Sequence, residues 1–553
     1  MAEQRSTVSK SSSCRGVSFE IKPSQENLFN VKHSFNNQPN NSSGRWVWMP
    51  WSHPDPSKVF PFSAALEKSL SRQSSHFCDL NEEEEDDDEA EEMVDIEIQN
   101  TEKTSIPDPI KQTISLRKTV KPKQSRLSVI LLDQGLFTVY KRLFAICFTL
   151  NIVALVLAAT NHFAYAKKRA ALFSIANILA LTLCRSEALL RVVFYFSVKL
   201  LGRSWVPLPI KTAVTAILQS LGGVHSGCGV SAVAWLIYAL VQTLINSDQT
   251  STEIIAVASA ILALLCASCL AAFPLVRHLH HNVFERTHRF AGWMALALLW
   301  VFIVLTNGYN PANKSYDKLK FSSLIKLQEF WLTITITFFT ILPWVTVKKV
   351  PVKVTAPSGH ASLITFTGGI KGGLLGRISR SPLSEWHAFG IISDNKDTHF
   401  MLAGAVGDFT KGLVSDPPRH LWVRGVHFAG LPYLVNMYQR VVLVATGSGI
   451  CVFLSFLLQP SKAEVCLVWV ARGVEENFGK EIKEMVTGSR NGKVVVHDTA
   501  IMGRPNVAEM TVDAARDWKA EVVVVTSNPE GSRDVVNACK KAGIAAFGPI
   551  WDS

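Results

Sequence analysis

Long apolar runs between residues 143 and 347 constrain the fold of this chain more than any other feature. Each run is long enough to cross a bilayer, and backbone groups in hydrocarbon must be paired within the segment, so each is predicted to be a helix. The sequence therefore predicts a membrane protein with a six-helix transmembrane bundle. The six predicted spans are 143–160, 171–198, 214–246, 252–274, 288–307 and 328–347.

The polar segment before these spans, residues 1–125, is predicted to be a disordered tail. It contains the acidic run NEEEEDDDEAEE, which is either a plain solvated tail or a contact for a protein partner. No apolar segment near the start resembles a secretory signal, so we expect the tail in the cytosol. An even number of spans then returns the C-terminus to the cytosol. Which membrane holds the protein stays open.

The net charge of +11 does not indicate a nucleic-acid partner. Much of the positive charge lies in Lys/Arg clusters that flank the predicted spans, where the positive-inside effect places it. The partner that the composition does indicate is membrane lipid. We assign residues 126–349 to the transmembrane domain.

Two further domains are predicted after the last span. Residues 350–440 contain short β-like runs with turns, such as HASLITFTGG and HLWVRGVHF, which indicate a small antiparallel β-barrel. In residues 441–553 the runs VVLVAT, EVCLVWVA, KVVVHD and EVVVVTS alternate with helical stretches. That pattern indicates buried parallel strands in an α/β nucleotide-binding domain.

A glycine-rich turn follows the first of these parallel strands, in VVLVATGSGI. Glycine at Gly447 and Gly449 lets backbone N–H groups come close to a phosphate or a planar ring, and the following helix start favours anions. By itself the turn is a weak signal, because many α/β proteins turn tightly after a strand.

The domain order and four short stretches resemble the ferric reductase and NADPH oxidase superfamily, and within it the TmpA-like integral membrane proteins of fungi and plants. SEWHAFGIIS is similar to the family's flavin strand LEWHPFTLTS, and VGDFTKGL is similar to its VGDWT segment. VATGSGI resembles its nicotinamide-side glycine loop, and MGRPN resembles HYGRPNW, which contacts NADPH in the family. The resemblance covers about residues 130–553 and implies a ferredoxin-reductase-like module made of the barrel and the α/β domain.

This resemblance implies two cofactor sites in the module. The residues implied for FAD are Trp386, His387, Phe389, Gly407, Asp408 and Thr410. Those implied for NADPH or NADH are Gly447, Ser448, Gly449, Arg472, Gly503, Arg504, Pro505 and Asn506, and Trp551 is implied as the aromatic that shields the flavin ring. Two of them have alternatives: Arg472 is either a 2′-phosphate ligand or a surface arginine, and Trp551 either shields the flavin or plugs the domain edge.

The chain also departs from the family pattern. The family's HPFT is replaced by His387-Ala388-Phe389-Gly390, so the threonine that would face the flavin is missing. The DGPYG loop aligns near residues 424–428 without its Asp or Pro, and the CGP motif is replaced at residues 526–529. Whether the FAD site is intact, altered or lost stays open at this point.

The segments GGVHSG and FERTHRF hold the histidines that the resemblance implies as haem ligands, His225 and His288. Imidazole is a common axial ligand of haem iron, although a lone buried histidine is more often a hydrogen-bonded core residue. The small neighbours of His225 are expected to let a macrocycle approach closely. The family's second histidines, 13 or 14 positions later, are absent; Tyr238, Ala239, Val301 and Phe302 stand there. At most one haem b is therefore predicted, near the cytosolic side.

Three charged residues inside the second predicted span also indicate a polar site. Glu187 and Arg191 are spaced to pair as i,i+4 neighbours, and Arg185 or Arg191 would suit haem propionates. A purely structural ion pair is the alternative interpretation.

Two functions fit these patterns. The first is an NAD(P)H-dependent flavo-oxidoreductase that passes electrons through FAD to at most one haem and an unknown acceptor. The second is a redox-inactive membrane sensor or scaffold that kept the fold. Intact GSGI and GRPN motifs favour the first, and the missing outer histidines favour the second.

Overall fold

The computed structural model describes residues 12–14, 17–19, 138–273, 276–277, 281–318, 321–488 and 492–550. The chain divides into two compact units, Met1–Phe62 and Ser63–Ser553. In the first unit, strands β1 (Ser12–Cys14) and β2 (Val17–Phe19) pair antiparallel. The predicted acidic run lies outside the described residues. All further description concerns the second unit.

The second unit begins with a helical part. Its helices are α1 (Val139–Ala159), α2 (Ala164–Lys168), α3 (Ala170–Leu183), α4 (Glu187–Leu201), α5 (Leu208–Gln219), α6 (Leu221–Ile245), α7 (Thr252–Ala271), α8 (His281–Gly308), α9 (Phe321–Leu324) and α10 (Gln328–Val345). A two-stranded ribbon, β3 (Tyr309–Asn310) with β4 (Ser315–Tyr316), follows α8.

Among the described helices, four are long and apolar enough to cross a membrane. They are α1, α6, α7 and the part of α8 from Val283 onward. Helix α3 is apolar but only 14 residues long, and α10 does not reach the same apolar content. The six-span prediction is thus supported for four spans.

The second and third predicted spans each divide into two helices. In 171–198 the helix ends at Leu183, and α4 begins after Ser186, whose hydroxyl accepts a hydrogen bond from the Leu189 N–H at 3.4 Å. Such a serine is a favourable N-cap and starts a new helix. In 214–246 the division falls at Ser220, between α5 and α6. Apolar composition alone does not reveal either break.

Polar side chains link helices α1, α3 and α6. The Asn151 side-chain oxygen on α1 accepts hydrogen bonds from Asn177 Nδ2 on α3 at 2.8 Å and from Trp235 Nε1 on α6 at 3.0 Å. The Trp235 side chain is fully buried and stacks on Phe173 at 4.7 Å between ring centroids. Hydrogen bonds between side chains of different helices favour one mutual rotation of the three helices.

Small residues bring α1 and α6 together. A Cβ atom placed on Gly223 would lie 2.2 Å from the Tyr140 carbonyl oxygen, and one on Gly227 would lie 3.1 Å from Cys147 Cβ. The Ser226 hydroxyl is 2.9 Å from the Tyr140 hydroxyl. These small neighbours of His225 therefore pack against α1, and the expectation that they make room for a macrocycle is wrong for Gly223, Ser226 and Gly227.

Residues 347–429 form two antiparallel sheets. One has the order β10-β11-β7-β6, from strands Ile392–Ser393, Thr398–Gly404, Ala361–Thr367 and Lys353–Ser358. The other has the order β13-β8-β12-β5, from strands Phe428–Ala429, Leu374–Ser379, His420–Arg424 and Val347–Pro351, and β9 (His387–Gly390) pairs with β8. Pairing among the described strands does not close them into the single barrel that the sequence predicts. The two sheets are joined through Ile391, where β9 passes into β10.

The remaining strands form one parallel sheet of order β16-β15-β14-β17-β18. Its strands are β14 (Arg440–Thr446), β15 (Glu464–Ala471), β16 (Lys493–Asp498), β17 (Val522–Thr526) and β18 (Ala546–Phe547). The central β14 is buried along most of its length, with Val444 paired to Val468 on one side and Val525 on the other. Continuous apolar runs are expected for strands covered on both faces, and the four predicted strands are confirmed.

Helices of the module lie between and beside these strands. They are α11 (Asp408–Ser415), α12 (Leu431–Leu434), α13 (Leu454–Leu458), α14 (Val474–Thr487), α15 (Thr499–Met502), α16 (Val507–Asp517) and α17 (Pro529–Lys541). One buried apolar cluster contains Ile364 and Ile378 from the antiparallel sheets together with Leu443 and Trp469 from the parallel sheet. The two parts of the module consequently share a core.

The close approach of α1 and α6 predicts that an added methyl group destabilises the protein at Gly223 but not at a glycine with more space around it. We expect Gly223→Ala to push α6 away from the Tyr140 carbonyl and to lower the melting temperature in detergent, at a cost of about 1–3 kcal/mol. Gly308→Ala is the control, since its Cβ would lie 3.7 Å from the nearest atom, an ordinary contact. Equal melting temperatures for the two variants would contradict this packing.

Candidate functional site

Two histidines face each other between the membrane helices. His225 lies in the second turn of α6, His288 lies in the third turn of α8, and their ring centroids are 6.3 Å apart with planes tilted by 53°. Helix α7 packs against both histidine-bearing helices. The structure thus brings together the two residues that the sequence analysis singles out as metal ligands.

The orientation of the His225 ring leaves one nitrogen for a ligand. Nδ1 of His225 lies 2.9 Å from the Leu181 carbonyl oxygen, which makes Nδ1 the donor and leaves Nε2 without its proton. Nδ1 of His288 is buried and interacts with the Ser268 backbone, although the geometry falls short of a hydrogen bond. Metal-binding histidines commonly donate their second ring N–H to such a carbonyl.

The ring separation suits one iron between the two imidazoles. Metal–nitrogen bonds of about 2 Å, plus about 1 Å from each nitrogen to its ring centre, give roughly 6 Å between ring centres. Gly229 and Gly292 lie one helical turn beyond the two histidines, and a Cβ on either would meet nothing within 4 Å. There is therefore open space one helical turn beyond each histidine, where a planar group such as a haem would meet no side chain from either glycine.

A guanidinium lies near the same histidines. Arg185 stands at the break between α3 and α4, is exposed, and is close enough for its charge to act on both His225 and His288. Arg277 and Arg377 contribute further positive charge near Arg185. Such a cluster of positive charge would suit an anionic group, and the assignment of Arg185 to haem propionates stays a prediction.

The helical bundle also contains a buried apolar cluster that lies further along α6 and α8 than the two histidines. Leu236 on α6, Ile261 on α7 and Leu299 and Ile303 on α8 form a buried cluster, with Phe302 packed against it. Tyr238 and Ala239 pack against a second buried cluster, which contains Ala158 and Trp235, and Val301 is exposed.

The residues predicted to hold FAD lie together at β9 and α11. The His387 ring stacks on Phe409 with ring centroids 4.0 Å apart and planes within 17°, and Phe389 lies 6.4 Å from the same ring. Trp386 donates from Nε1 to the Pro382 carbonyl at 3.1 Å, and the Arg424 guanidinium lies 4.9 Å from its ring centre.

Helix α11 begins with its polar groups already paired. The Thr410 hydroxyl accepts hydrogen bonds from the N–H groups of Val406 and Gly407, each at 3.1 Å. Asp408 adds a negative charge in the first turn. Thr410 therefore caps the helix, and a phosphate at this helix start would have to displace that cap.

The missing family threonine has a structural reason. A Cβ on Gly390 would lie 2.7 Å from backbone atoms of Val452, so strand β9 directly contacts the turn Gly447–Val452. Threonine has no room in this arrangement. The same contact places the flavin-like strand beside the dinucleotide-like loop, which is the neighbourhood that hydride transfer between two cofactors requires.

The glycine loop is a buried 3₁₀ turn, Gly447–Val452, at the carboxyl end of β14. Gly447 has φ +52°, a left-handed conformation that glycine adopts without strain. Its carbonyl accepts a hydrogen bond from Trp469 Nε1 at 3.0 Å. Thr446 and Ser527 hydroxyls lie 2.8 Å apart where the strand order reverses between β14 and β17, the usual crevice for ligands in such sheets.

A cavity of about 400 Å³ opens at the carboxyl ends of β15 and β16. Its wall includes Trp469, and its rim includes the exposed apolar side chains of Ile501 and Met502. The other lining residues are Gly473, Val474, Glu475, Glu476, Lys483, Val486, Thr487, Val496, Asp498 and Ala500. A pocket with apolar walls and a few polar groups is the usual form of a cofactor site.

Asp498 organises the floor of this cavity. Its carboxylate accepts hydrogen bonds from the N–H groups of Gly473 and Val474 at 2.8 Å and of Ala500 at 3.0 Å. Burial alone would raise the pKa of the Asp498 carboxyl, but these N–H groups outweigh burial and hold the pKa below its usual value. The sequence analysis did not select Asp498 or Trp469, although both lie on or at the end of a predicted strand.

The remaining dinucleotide-site residues lie at the same edge of the sheet. Arg472 is exposed directly after β15, and its carbonyl accepts from Asn477 Nδ2 at 2.7 Å. The Gly503 carbonyl lies 2.8 Å from His497 Nε2, and Gly503 has φ +71°. Exposed Arg504 and half-buried Pro505 follow, and Asn506 caps α16. Buried Ser448 and Gly449 stay within the loop, and Trp551 lies outside the described residues.

A junction that the sequence analysis missed joins the module to the membrane helices. The Glu187 carboxylate pairs with Arg377 and, at 3.4 Å, with Arg424. Arg191 donates to the His427 carbonyl at 3.2 Å, so the predicted Glu187–Arg191 pair is not formed. Arg289, one residue after His288, donates to the Leu383 and Ser384 carbonyls at 3.1 and 3.3 Å.

Comparison with known proteins identifies similar reductases. A family model described as "Adenylate-forming reductase 03009, C-terminal domain" matches residues 431–553. Adenylate-forming reductase 03009 of Coprinopsis cinerea is 34% identical over 428 residues, 76% of this chain and 41% of that protein. Adenylate-forming reductase 06235 of the same fungus is 34% identical over 430 residues, with the same coverage. This chain therefore spans about two fifths of the length of these relatives.

Solved structures show a more distant likeness. Ferredoxin-NADP+ reductase from Plasmodium falciparum is 11% identical, with a TM-score of 0.28, over 37% of this chain and 95% of that chain. Phthalate dioxygenase reductase is 10% identical, with a TM-score of 0.29, over 37% of this chain and 69% of that chain. Both TM-scores are low, so the fold of this chain rests on its own strands and their pairing.

The half-buried His427 near the junction predicts a pH dependence. Burial, then the charges of His399, Arg191 and Lys348, lower the pKa of His427 from 6.5 to about 4. Between these values the unfolded chain binds more protons than the folded chain, so stability falls as the pH drops from about 6.5 to 4 and levels off below. We expect a loss on the order of 2–3 kcal/mol, measured as melting temperature against pH. His427→Gln should flatten this slope, and an unchanged slope would contradict the assignment.

Proposed function

We propose that this chain is an integral membrane oxidoreductase of the ferric reductase and NADPH oxidase type, which uses NAD(P)H, FAD and a single haem b. The observation that carries the proposal is the His225–His288 pair, with ring centroids 6.3 Å apart, Nδ1 of His225 bonded to a backbone carbonyl and open space one turn further on. Both termini would face the cytosol.

The dinucleotide is proposed to lie along the carboxyl edge of the parallel sheet. The turn Gly447–Val452 would approach the nicotinamide end, and the cavity between Gly473 and Met502 would take the adenosine end. The exposed side chains of Ile501 and Met502 would cover the adenine ring. Arg472 would reach an anionic group from the rim, because its side chain is exposed at the end of β15.

The flavin is proposed to lie against β9. His387 and Phe389 present ring faces there, and the Gly390 contact with Val452 keeps this strand beside the glycine loop. When bound, flavin supplies the conversion of a two-electron hydride into single electrons, and haem iron accepts them one at a time. The chain's own task is to position the groups and exclude water.

The junction sets the distance between the two halves. Arg289 follows His288 on α8 and is bonded to the loop that leads into Trp386 and β9. The Arg289 guanidinium lies 5.9 Å from the Trp344 ring centre, and Trp344 contacts Trp386 at 6.5 Å between ring centroids. The histidine helix and the flavin-like strand are thereby held in one rigid arrangement.

A second candidate is a redox-inactive sensor or scaffold with the same fold. The buried apolar cluster around Leu299 and Ile303 favours it, since two stacked haems are how the family is implied to cross the membrane. The acidic tail would then serve a protein partner. An acceptor near the inner leaflet would reconcile a single haem with an active enzyme.

The first test is the absorbance spectrum of the detergent-purified protein, oxidised and then reduced with dithionite, with haem and flavin quantified per chain. We expect one haem b per chain, and loss of nearly all haem in His225→Ala and in His288→Ala. His162→Ala is the control, because His162 is exposed and bonds only locally to Thr160 in the described contacts. Full haem content in either ligand variant would overturn the assignment, and absence of haem and flavin from the wild type would favour the scaffold.

The dinucleotide site has a separate test. We expect Gly447→Val to weaken NADH and NADPH binding at least tenfold, because φ +52° strains any residue with a side chain by about 1–2 kcal/mol and the new side chain blocks the loop. Ile501→Glu probes the same cavity from its exposed rim without disturbing the core. Gly359→Val is the control, since a Cβ there meets nothing within 4 Å. Unaltered affinities measured by titration calorimetry in both site variants would exclude this location.

A further inference from the structure

Helices α4 and α5 have one face fixed to the soluble module. On α4, Leu190, Phe194, Val198 and Leu201 pack against the buried core of the module, and Phe194 is only 3% exposed. Their spacing of three or four residues places them on one helical face. On α5, Leu218 packs against the same core, and the Thr215 hydroxyl lies 2.7 Å from the Tyr438 hydroxyl. The helix pair thus moves with the module.

The opposite face of the same helix pair is apolar and exposed. On α4 the exposed positions are spaced by three, four or one residues and lie opposite the buried ones. The exposed apolar residues of this region are Val192, Tyr195, Phe196, Leu200, Trp205, Leu208, Ile210 and Ile217, each exposed by 37% to 74%. A single exposed apolar side chain needs no explanation, but a contiguous patch of this kind marks an interaction surface.

Neither helix is suited to crossing a membrane. Helix α4 has 15 residues and α5 has 12, which correspond to about 22 and 18 Å, against a hydrocarbon thickness of about 30 Å. Each also carries polar contacts to the module on its inner face, including the Glu187 ion pairs. The second predicted span, 171–198, therefore contains the apolar helix α3 followed by α4, one face of which packs against the module.

The chain connections place this patch at a bilayer surface. Helix α4 starts three residues after the apolar α3 ends, and α5 is separated by Ser220 alone from α6, which is long and apolar enough to span. Lys199 and Arg203 lie next to the apolar patch, with Lys199 5.8 Å from the Tyr195 ring centre. An apolar face with neighbouring Trp, Tyr and Lys/Arg suits the headgroup region, where anionic lipids attract the cations.

We propose that residues 187–219 form an amphipathic helical hairpin that lies in the plane of the membrane, with its apolar face in the headgroup region of an anionic bilayer. The hairpin supports the soluble module on the membrane surface, because its other face belongs to the module core. Its occupant is lipid, and the patch needs no protein partner.

The test uses nitroxide labels on the full chain in vesicles of phosphatidylcholine and phosphatidylserine. Leu200→Cys and Trp205→Cys place a label on the patch, and Glu481→Cys places one on an exposed position of α14 as the control. The signal of the unsubstituted chain, labelled in the same way, is subtracted to remove the native cysteines. The measured quantity is the ratio of collision rates with oxygen, which dissolves in lipid, and with a water-soluble nickel chelate.

We expect this ratio to be several-fold higher at both patch positions than at position 481. A ratio equal to that of the control would show that the patch faces water, and low collision rates with both reagents would show that protein covers it; either result overturns the proposal. Adding Lys199→Gln and Arg203→Gln to Leu200→Cys should lower the ratio in phosphatidylserine vesicles but not in phosphatidylcholine alone. No difference between the two lipids would remove the assigned role of these cations.

Discussion

The pairing of one carboxylate, Glu187, with two arginines of the module is the contact on which the architecture depends. The Glu187 side chain is 11% exposed, and its partners Arg377 and Arg424 are 32% and 15% exposed. Burying a charge costs free energy unless the charge is paired. If the module moved away, Glu187 would lose both of its arginine partners, so the ion pairs stabilise the present position of the module. Burial lowers the pKa of Arg424, and Glu187 counteracts that shift. Arg191 and Arg289 also donate hydrogen bonds to backbone carbonyls of the module. These contacts further hold the module against the helices.

The position of Glu187 also explains why charged residues occur in an apolar stretch. Ser186 ends the preceding apolar helix and starts a new one, so Glu187 projects from a first turn at the surface of the module. When hydropathy is averaged over a window of residues, the short break between the two helices is lost and the segment is predicted to be one long span. The distinction between residues that face lipid and residues that face protein depends on tertiary packing, which local composition does not contain.

Other parts of the fold followed from sequence more directly. The parallel strands β14 to β17 are continuous apolar runs, and burial on both faces is the physical cause of such runs. The antiparallel part was harder, because pairing there joins residues far apart, as in Phe400 with Thr365, and pattern alone does not decide whether sheets close. For the candidate site, the family resemblance located His225 and His288, whereas the roles of Gly223 and Gly227 required the position of α1. Trp469 and Asp498 act through hydrogen bonds to neighbouring loops, and those partners are set only by the folded sheet.

The buried apolar cluster beyond the two histidines has an electrical consequence. A charge that crosses the whole bilayer does work against the membrane potential, about 2.3 kcal/mol for each 100 mV. Under the proposed function, an electron held between His225 and His288 would enter the bilayer from the cytosolic side and meet Leu236, Leu299 and Ile303 before the far side. It would traverse only part of the field, so turnover would depend on the membrane potential less steeply than transfer across the whole bilayer would.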